Sequence, residues 1–146
     1  MKYMQLLLSR IFKTFLILCS LSFVCKQTYA QSVKEMNVLT ERHQKCLDSG
    51  IDMLNCSKNF YLQMDSILNV VYNKLRRNLN PKEKEVLKKE QLSWLKDRDI
   101  FFKKQNIEFE KKFNGGEWGS DMYMITYQND AEFVKKRVIF LMSQLK

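Results

Sequence analysis

The apolar positions in the middle of the chain recur at helical spacing on both sides of one turn. At that turn Asn80 is a favourable N-cap, Pro81 suits the first helical position, and Glu83 can reach back to the cap. The pattern therefore predicts two long helices that fold back at Asn80-Pro81, the second running to about Lys112. Before the turn, apolar residues recur at steps of three and four, which places them along one side of a helix. They include Leu54, Tyr61, Met64, Leu68, Val71 and Leu75.

The second helix of this hairpin carries enough apolar side chains to cover the first. In two antiparallel helices joined by a turn, residue numbers rise along one helix and fall along the other. Residues that lie at the same distance from the turn therefore have position numbers with a nearly constant sum. We predict an inter-helix polar ladder on this basis, in which an Arg98 guanidinium keeps the Asp65 carboxylate ionised. The predicted partners, each with position numbers that sum to 163, are Asp65 with Arg98, Asn69 with Trp94, and Tyr72 with Gln91. The apolar residues of the second helix are Val86, Leu87, Leu92, Trp94, Leu95, Ile100, Phe101 and Phe102.

Two further helices are predicted on either side of the hairpin. Ser32 can cap a helix that runs to about Cys46, and Ser49-Gly50 ends it. Three glycines within positions 114–120 interrupt the second long helix, and Ser120 can cap a closing one. No stretch shows strand alternation. The predicted fold class is all-α: a long antiparallel helical hairpin with flanking N- and C-terminal helices.

The first 30 residues have the pattern of a signal peptide. A cationic leader precedes a short apolar stretch, and Ala30 offers a small residue for cleavage before Gln31. A retained membrane anchor is the alternative, but the apolar stretch is shorter than the roughly 20 residues that a spanning helix needs. We therefore expect a cleaved leader at 1–30, a single domain at 31–146, and an exported protein that is periplasmic or secreted and does not span the membrane.

The number and distribution of charged residues argue against one class of partner. The whole chain has a formal charge of +9, with 25 basic and 16 acidic residues. The leader contains four of the basic residues, so 21 remain against 16 acidic ones, a mature balance of +5. Basic and acidic residues alternate along the helices, which is typical of solvated helix faces. This mixing and the expected export argue against a nucleic-acid partner.

The mature region contains two cysteines, Cys46 and Cys56. In a small exported domain, an even pair separated by a short loop predicts a disulfide. A reactive thiol or a metal site is the alternative. With His43 these cysteines fall short of a closed zinc set, so we expect neither metal nor cofactor. His43 lies between charged or polar neighbours in the chain, and we expect it at the surface.

The motif order resembles that of a known family. Asp65-x-x-Leu-Asn69-x-x-Tyr72 is followed by Gln91-x-x-Trp94-x-x-x-Arg98-Asp99, a glycine-rich break and a closing helix that bears Arg137. Taken together, these motifs are similar to those of the LprI-like lysozyme-inhibitor domain of exported bacterial proteins, over roughly positions 45–145. The resemblance implies a small helical, disulfide-bonded domain that binds a protein partner, such as lysozyme.

Catalysis is not expected, because no nucleophile with a base and no pair of carboxylates in a cleft can be assembled from the pattern. The predicted function is therefore non-enzymatic binding or inhibition of an envelope-acting enzyme. We expect the contact in the glycine-rich loop, at Glu117, Trp118 and Asp121, since large aromatic residues on loops are frequent binding anchors. Trp118 folding back onto the end of the bundle is the alternative.

The mature charge of +5 opposes lysozyme as the target, because many lysozymes are strongly basic and like charges repel at long range. The competing function class is a structural or envelope-associated module, whose cationic faces contact anionic surface polymers or lipid.

Overall fold

The computed structural model describes residues 33–112 and 119–145, and the regular elements in these ranges are all helices. The first, α1, occupies residues 33–48. It is followed by α2 (Met53–Arg77), α3 (Pro81–Lys112) and α4 (Ser120–Ser143). The all-α prediction is confirmed. Among the described helices, none has an apolar run long enough to cross a membrane. The predicted leader and the loop residues Glu117 and Trp118 lie outside the described residues.

The turn between α1 and α2 forms at the predicted break. Ser49 Oγ donates to the Cys46 carbonyl at 2.7 Å, and Gly50 N donates to the Leu47 carbonyl at 3.0 Å. Gly50 has a φ of +66°, in the left-handed region where a side chain would be strained. The predicted disulfide between Cys46 and Cys56 is present, with the two Cα atoms 5.8 Å apart. It ties the end of α1 to the first turn of α2.

The hairpin turn between α2 and α3 has the predicted capping arrangement. Glu83 N donates to Asn80 Oδ1 at 3.0 Å, while Asn80 N donates to Glu83 Oε2 at 2.9 Å. These two bonds satisfy backbone N–H groups that a helix start leaves without a partner inside the helix. Pro81, which has no N–H to satisfy, is the first residue of α3. The chain therefore reverses between Arg77 and Pro81, where the sequence placed the turn.

The helix that covers α2 is α4, which corrects one expectation. We predicted that the apolar residues of α3 would cover α2, but among them only Leu87 is buried, and Val86, Leu92 and Ile100 are at least half exposed. By contrast, α4 packs along α2 extensively. The apolar residues of α3 are not confined to one stripe, so one face cannot bury them all. The resulting core contains Met36, Phe60, Met64, Leu68, Val71, Leu75, Leu87, Ala131, Val134, Val138, Leu141 and Met142.

The contacts of α3 fix the direction of the helices. Across α3 and α4, the Phe133 ring stacks on Trp94 at 5.8 Å and on Phe101 at 4.5 Å between ring centroids. Across α2 and α3, the rings of Tyr61 and Phe102 lie 6.1 Å apart, and these position numbers also sum to 163. Gln91 accepts from Arg137 and Gln105 accepts from Asn129, so the partners on α4 fall in number as those on α3 rise. Because α3 is therefore antiparallel to α4 as well as to α2, α2 and α4 run in the same direction.

Candidate functional site

An open groove of about 330 Å³ lies between α2 and α3. Five of the six residues predicted for the polar ladder line it, and Trp94 is the exception. Trp94 instead lies on the α4 side of α3, where it stacks on Phe133. Most of the residues that were paired by position number therefore face the same groove of the hairpin. The complete lining is Asp65, Leu68, Asn69, Tyr72, Lys88, Gln91, Leu92, Leu95 and Arg98.

The bonds that we predicted across this groove are not formed. Arg98 donates from Nε and Nη2 to Asp99 Oδ1, at 3.0 and 2.8 Å. Asn69 Nδ2 donates to the Asp65 carbonyl at 3.0 Å, within α2. Within residues 33–112 and 119–145, Arg98 has no ion pair with Asp65, so that direct pairing is wrong. The physical reason is that closer partners exist on the same helix, while α3 stands away from α2.

The groove consequently contains polar groups that do not bond to each other across it. The Gln91 carbonyl oxygen accepts from Arg137 Nε at 3.0 Å, which leaves its amide nitrogen available to donate. Arg98 lies 5.7 Å from the Phe102 ring centroid, so that one aromatic face positions its guanidinium at the groove edge. Such a mixture of donors and acceptors over leucine side chains can bind a polar ligand; it does not supply a nucleophile with a base.

A buried polar network joins α3 to α4 beside the groove, and our sequence reasoning missed it. Gln105 Nε2 donates to Asp130 Oδ1 at 2.9 Å, and Asn129 Nδ2 donates to Gln105 Oε1 at 2.7 Å. Asp130 is 7% exposed. Burial raises the pKa of its carboxyl from 3.8 to about 6, although the Gln105 bond and the Arg98 charge oppose that shift. The available signal was the spacing of Asp130, which lies four residues before Val134 and eight before Val138 and so falls on the apolar face of α4.

Arg137 is the second buried charge that α4 contributes. It is 9% exposed, and its guanidinium lies 5.0 Å from the Phe140 ring centroid and 5.9 Å from that of Trp94. Burial lowers the pKa of this guanidinium, and the Glu90 charge acts in the opposite direction. Within the described part of the chain, Arg137 Nη2 is a buried nitrogen without a hydrogen-bond partner. Two aromatic faces and Gln91 therefore stabilise this cation in place of a carboxylate.

The expectation of a surface position for His43 is wrong. Its ring stacks on Phe60 at 4.3 Å between centroids, Nε2 lies 3.4 Å from Ser57 Oγ, and only 9% of the residue is exposed. Burial lowers the pKa of His43. The signal was its spacing of seven residues from Met36, which places both on one face of α1. His43 belongs to the packing between α1 and α2.

The start of α4 lines a separate hollow of about 310 Å³ at the end of the bundle away from the hairpin turn. Asp121, the described member of the predicted binding loop, lies here together with Asp52. Ile51, next to Asp52 in the turn between α1 and α2, is 74% exposed. This end of the molecule therefore combines carboxylates with an exposed apolar side chain. The other lining residues are Gly50, Met53, Leu54, Ser120 and Met124.

The sequence model of the lysozyme inhibitor LprI family matches residues 41–141. The chain belongs to this family. For this LprI-family chain, the matched range begins in α1, ends in α4 and includes both cysteines of the disulfide. No curated protein and no solved structure matches it. In the described ranges of this family member, no group of three histidine, cysteine, aspartate or glutamate side chains is arranged to hold a metal ion.

Proposed function

We propose that this LprI-family protein is exported and binds an envelope-acting enzyme, with lysozyme as the first target to test, without catalysing a reaction itself. The observation that carries this proposal is the family match over residues 41–141, which covers most of the helical bundle. The contents of the groove support a binding role, since they offer hydrogen-bonding groups without a reactive set.

We place the contact with the enzyme at the end of the bundle formed by the α1–α2 turn and the start of α4. Asp52 and Asp121 line its hollow, and Ile51 stands exposed beside it. The expected mature charge is +5, but complementarity between surfaces depends on the local potential. A basic enzyme that approaches this end of the bundle would therefore meet carboxylates. Glu117 and Trp118 precede α4 in the chain, and we include this predicted loop in the proposed contact.

The exposed apolar residue gives this surface an anchor as well as charge. Burial of a large aliphatic side chain is worth about 1.5 to 3 kcal/mol, whereas exposed carboxylates mainly accelerate association and set its salt dependence. We therefore expect Ile51 and Trp118 to govern dissociation of the complex, and Asp52 and Asp121 to govern association.

The test is a lysozyme-activity assay combined with association and dissociation rates. The first variant is Asp52→Asn with Asp121→Asn. Asparagine suits position 52, because Asp52 has a φ of 52° and asparagine tolerates the left-handed region better than most residues. The control, Asp97→Asn with Glu85→Gln, makes the same charge change at exposed positions of α3.

We expect the Asp52 and Asp121 variant to associate several-fold more slowly and to lose salt dependence, while the control behaves as the unmodified protein. The complex formed by Trp118→Ala should dissociate faster, in a comparison of proteins with equal helix content. Unchanged lysozyme activity at saturating protein would reject lysozyme as the target. Equal effects of both charge variants would reject the proposed surface.

Export is tested separately, because its failure would not affect binding in the assay. Mass spectrometry of the protein recovered outside the cytoplasm should show an N-terminus near Gln31. A product that still begins at Met1 would contradict cleavage of the leader.

A further inference from the structure

Three basic side chains converge at the hairpin turn, at the opposite end of the bundle from Asp121. A hollow of about 230 Å³ is lined there by Asn73, Arg76 and Arg77 near the end of α2, and by Lys84 in the first turns of α3. The four side chains contribute only hydrogen-bond donors and one amide carbonyl. This is the arrangement that an anion with several oxygens requires.

The fold does not neutralise these cations. Over the ranges 33–112 and 119–145, none of Arg76, Arg77 and Lys84 forms an ion pair with a carboxylate. The nearby Glu83 carboxylate accepts the Asn80 N–H of the helix cap. Three like charges therefore share one hollow, although each repels the others.

Helix electrostatics explains only part of this cluster. Cations in the last turn of a helix are favourable because the C-terminal end is partially negative, which accounts for Arg76 and Arg77. The same effect disfavours a cation in the first turns, where Lys84 lies. Helix electrostatics therefore does not account for Lys84 beside the two arginines, and no carboxylate is among the residues that line the hollow.

The positive character continues from the hollow into the groove between α2 and α3. Lys88 lies one helical turn beyond Lys84 and lines that groove, and Arg98 lines its far part. Asp65 is the one carboxylate among the lining residues of the two hollows. The positive charge is therefore densest at the turn and falls toward the far part of the groove, where Arg98 is paired with Asp99.

We propose that the hollow at the hairpin turn binds a phosphate group. Each arginine can donate two parallel N–H bonds to phosphate oxygens, Lys84 adds a point charge, and the Asn73 amide can donate one more bond. A lipid headgroup and a soluble phosphate-containing polymer present the same chemistry. This proposal does not depend on lysozyme binding, since the surface assigned to the enzyme lies at the other end of the bundle.

The test compares the purified protein with two triple variants. The first replaces Arg76, Arg77 and Lys84 by glutamine. The control replaces Lys58, Lys96 and Lys103 by glutamine. These lysines are exposed, and each lies roughly 18 Å or more from the hollow, measured along its own helix. Both variants lose three positive charges. Circular dichroism should show the same helix content in all three proteins.

The probes are soluble polyphosphate, vesicles of phosphatidylcholine with phosphatidylglycerol, and vesicles of phosphatidylcholine alone. We expect the unmodified protein and the control to bind an anionic probe alike. The first variant should bind it roughly 100-fold more weakly, at about fivefold for each cation near a phosphate surface. Inorganic phosphate should shift the backbone amide resonances of positions 73–84 in the unmodified protein.

The source of the phosphate follows from which probe competes. If soluble polyphosphate does not displace the protein from the anionic vesicles, the source is a lipid headgroup. If polyphosphate does displace the protein, the source is a soluble polymer. Equal losses in the two triple variants would show a general charge effect and overturn the site. Absence of binding to every phosphate probe would overturn it as well.

Discussion

Replacement of Asp130 by asparagine should stabilise the protein at neutral pH, although the residue is buried and hydrogen-bonded. Asp130 accepts a bond from Gln105 Nε2 at 2.9 Å, and an asparagine carbonyl oxygen can accept the same bond. The substitution therefore keeps this hydrogen bond and removes a desolvated negative charge. Two groups of α3 act on Asp130: Gln105 through its hydrogen bond and Arg98 through its positive charge.

The magnitude follows from the pKa of Asp130, which burial raises from 3.8 to about 6. Because the folded protein then holds the proton more tightly than the unfolded chain, this carboxyl favours folding at low pH. Its contribution is fully present below the unfolded pKa of 3.8 and is lost as the pH rises through about 6. At about 1.4 kcal/mol for each pKa unit, the loss is at most about 3 kcal/mol. Partial hydration of the ionised group reduces it, so we expect about 1 to 3 kcal/mol.

The assay is urea unfolding of the unmodified protein and of Asp130→Asn across this pH range. Above pH about 7 the variant should be more stable by the amount given, and below pH about 4 the two proteins should be equal. Asp97→Asn is the control, because Asp97 is exposed on α3. A stability difference that does not change with pH would refute the reasoning, since it would reflect altered packing or bonding instead of ionisation.

Three other outcomes are expected. Replacing Cys46 and Cys56 by alanine should lower the free energy of unfolding by about 2 to 3 kcal/mol, the value for closing a loop of this length, in denaturation measured beside the oxidised protein. Asn80→Ala should cost about 1 kcal/mol by thermal unfolding, because it removes the acceptor for Glu83 N, and no loss would contradict the cap. In a double-mutant cycle, the losses in unfolding free energy from Asp65→Ala and Arg98→Ala should add to within about 0.5 kcal/mol. Strong coupling would instead indicate a direct ion pair between the two residues, against the structure.

The sequence predicts local features well where neighbouring residues decide them. The cap needs only Asn80, Pro81 and Glu83, and these lie within four positions. The disulfide needs only two cysteines and a short loop. The pairing of position numbers that sum to 163 also depends on helix geometry alone. It places Asp65 and Arg98 in one groove because α2 and α3 are both regular helices on either side of one turn.

What the sequence does not predict is the choice among competing partners. Arg98 bonds to Asp99 instead of Asp65, because an adjacent carboxylate needs no approach of two helices. The residues that cover α2 come from α4, since a stripe of apolar positions shows that a face is buried but not by which helix. Asp130 and Gln105 were missed for the same reason, because their bond joins positions 25 residues apart.

The unequal burial of the helices has a consequence for motion. The 32-residue α3 buries two side chains, Leu87 and Gln105, whereas the 24-residue α4 buries seven. Because local opening is easiest where few apolar contacts are lost, α3 should detach from α2 and α4 at a lower free energy than complete unfolding. Native-state hydrogen exchange would then show two cooperative units. A ligand that contacts both α2 and α3 would slow exchange in α3 and leave the most protected amides of α2 and α4 unchanged.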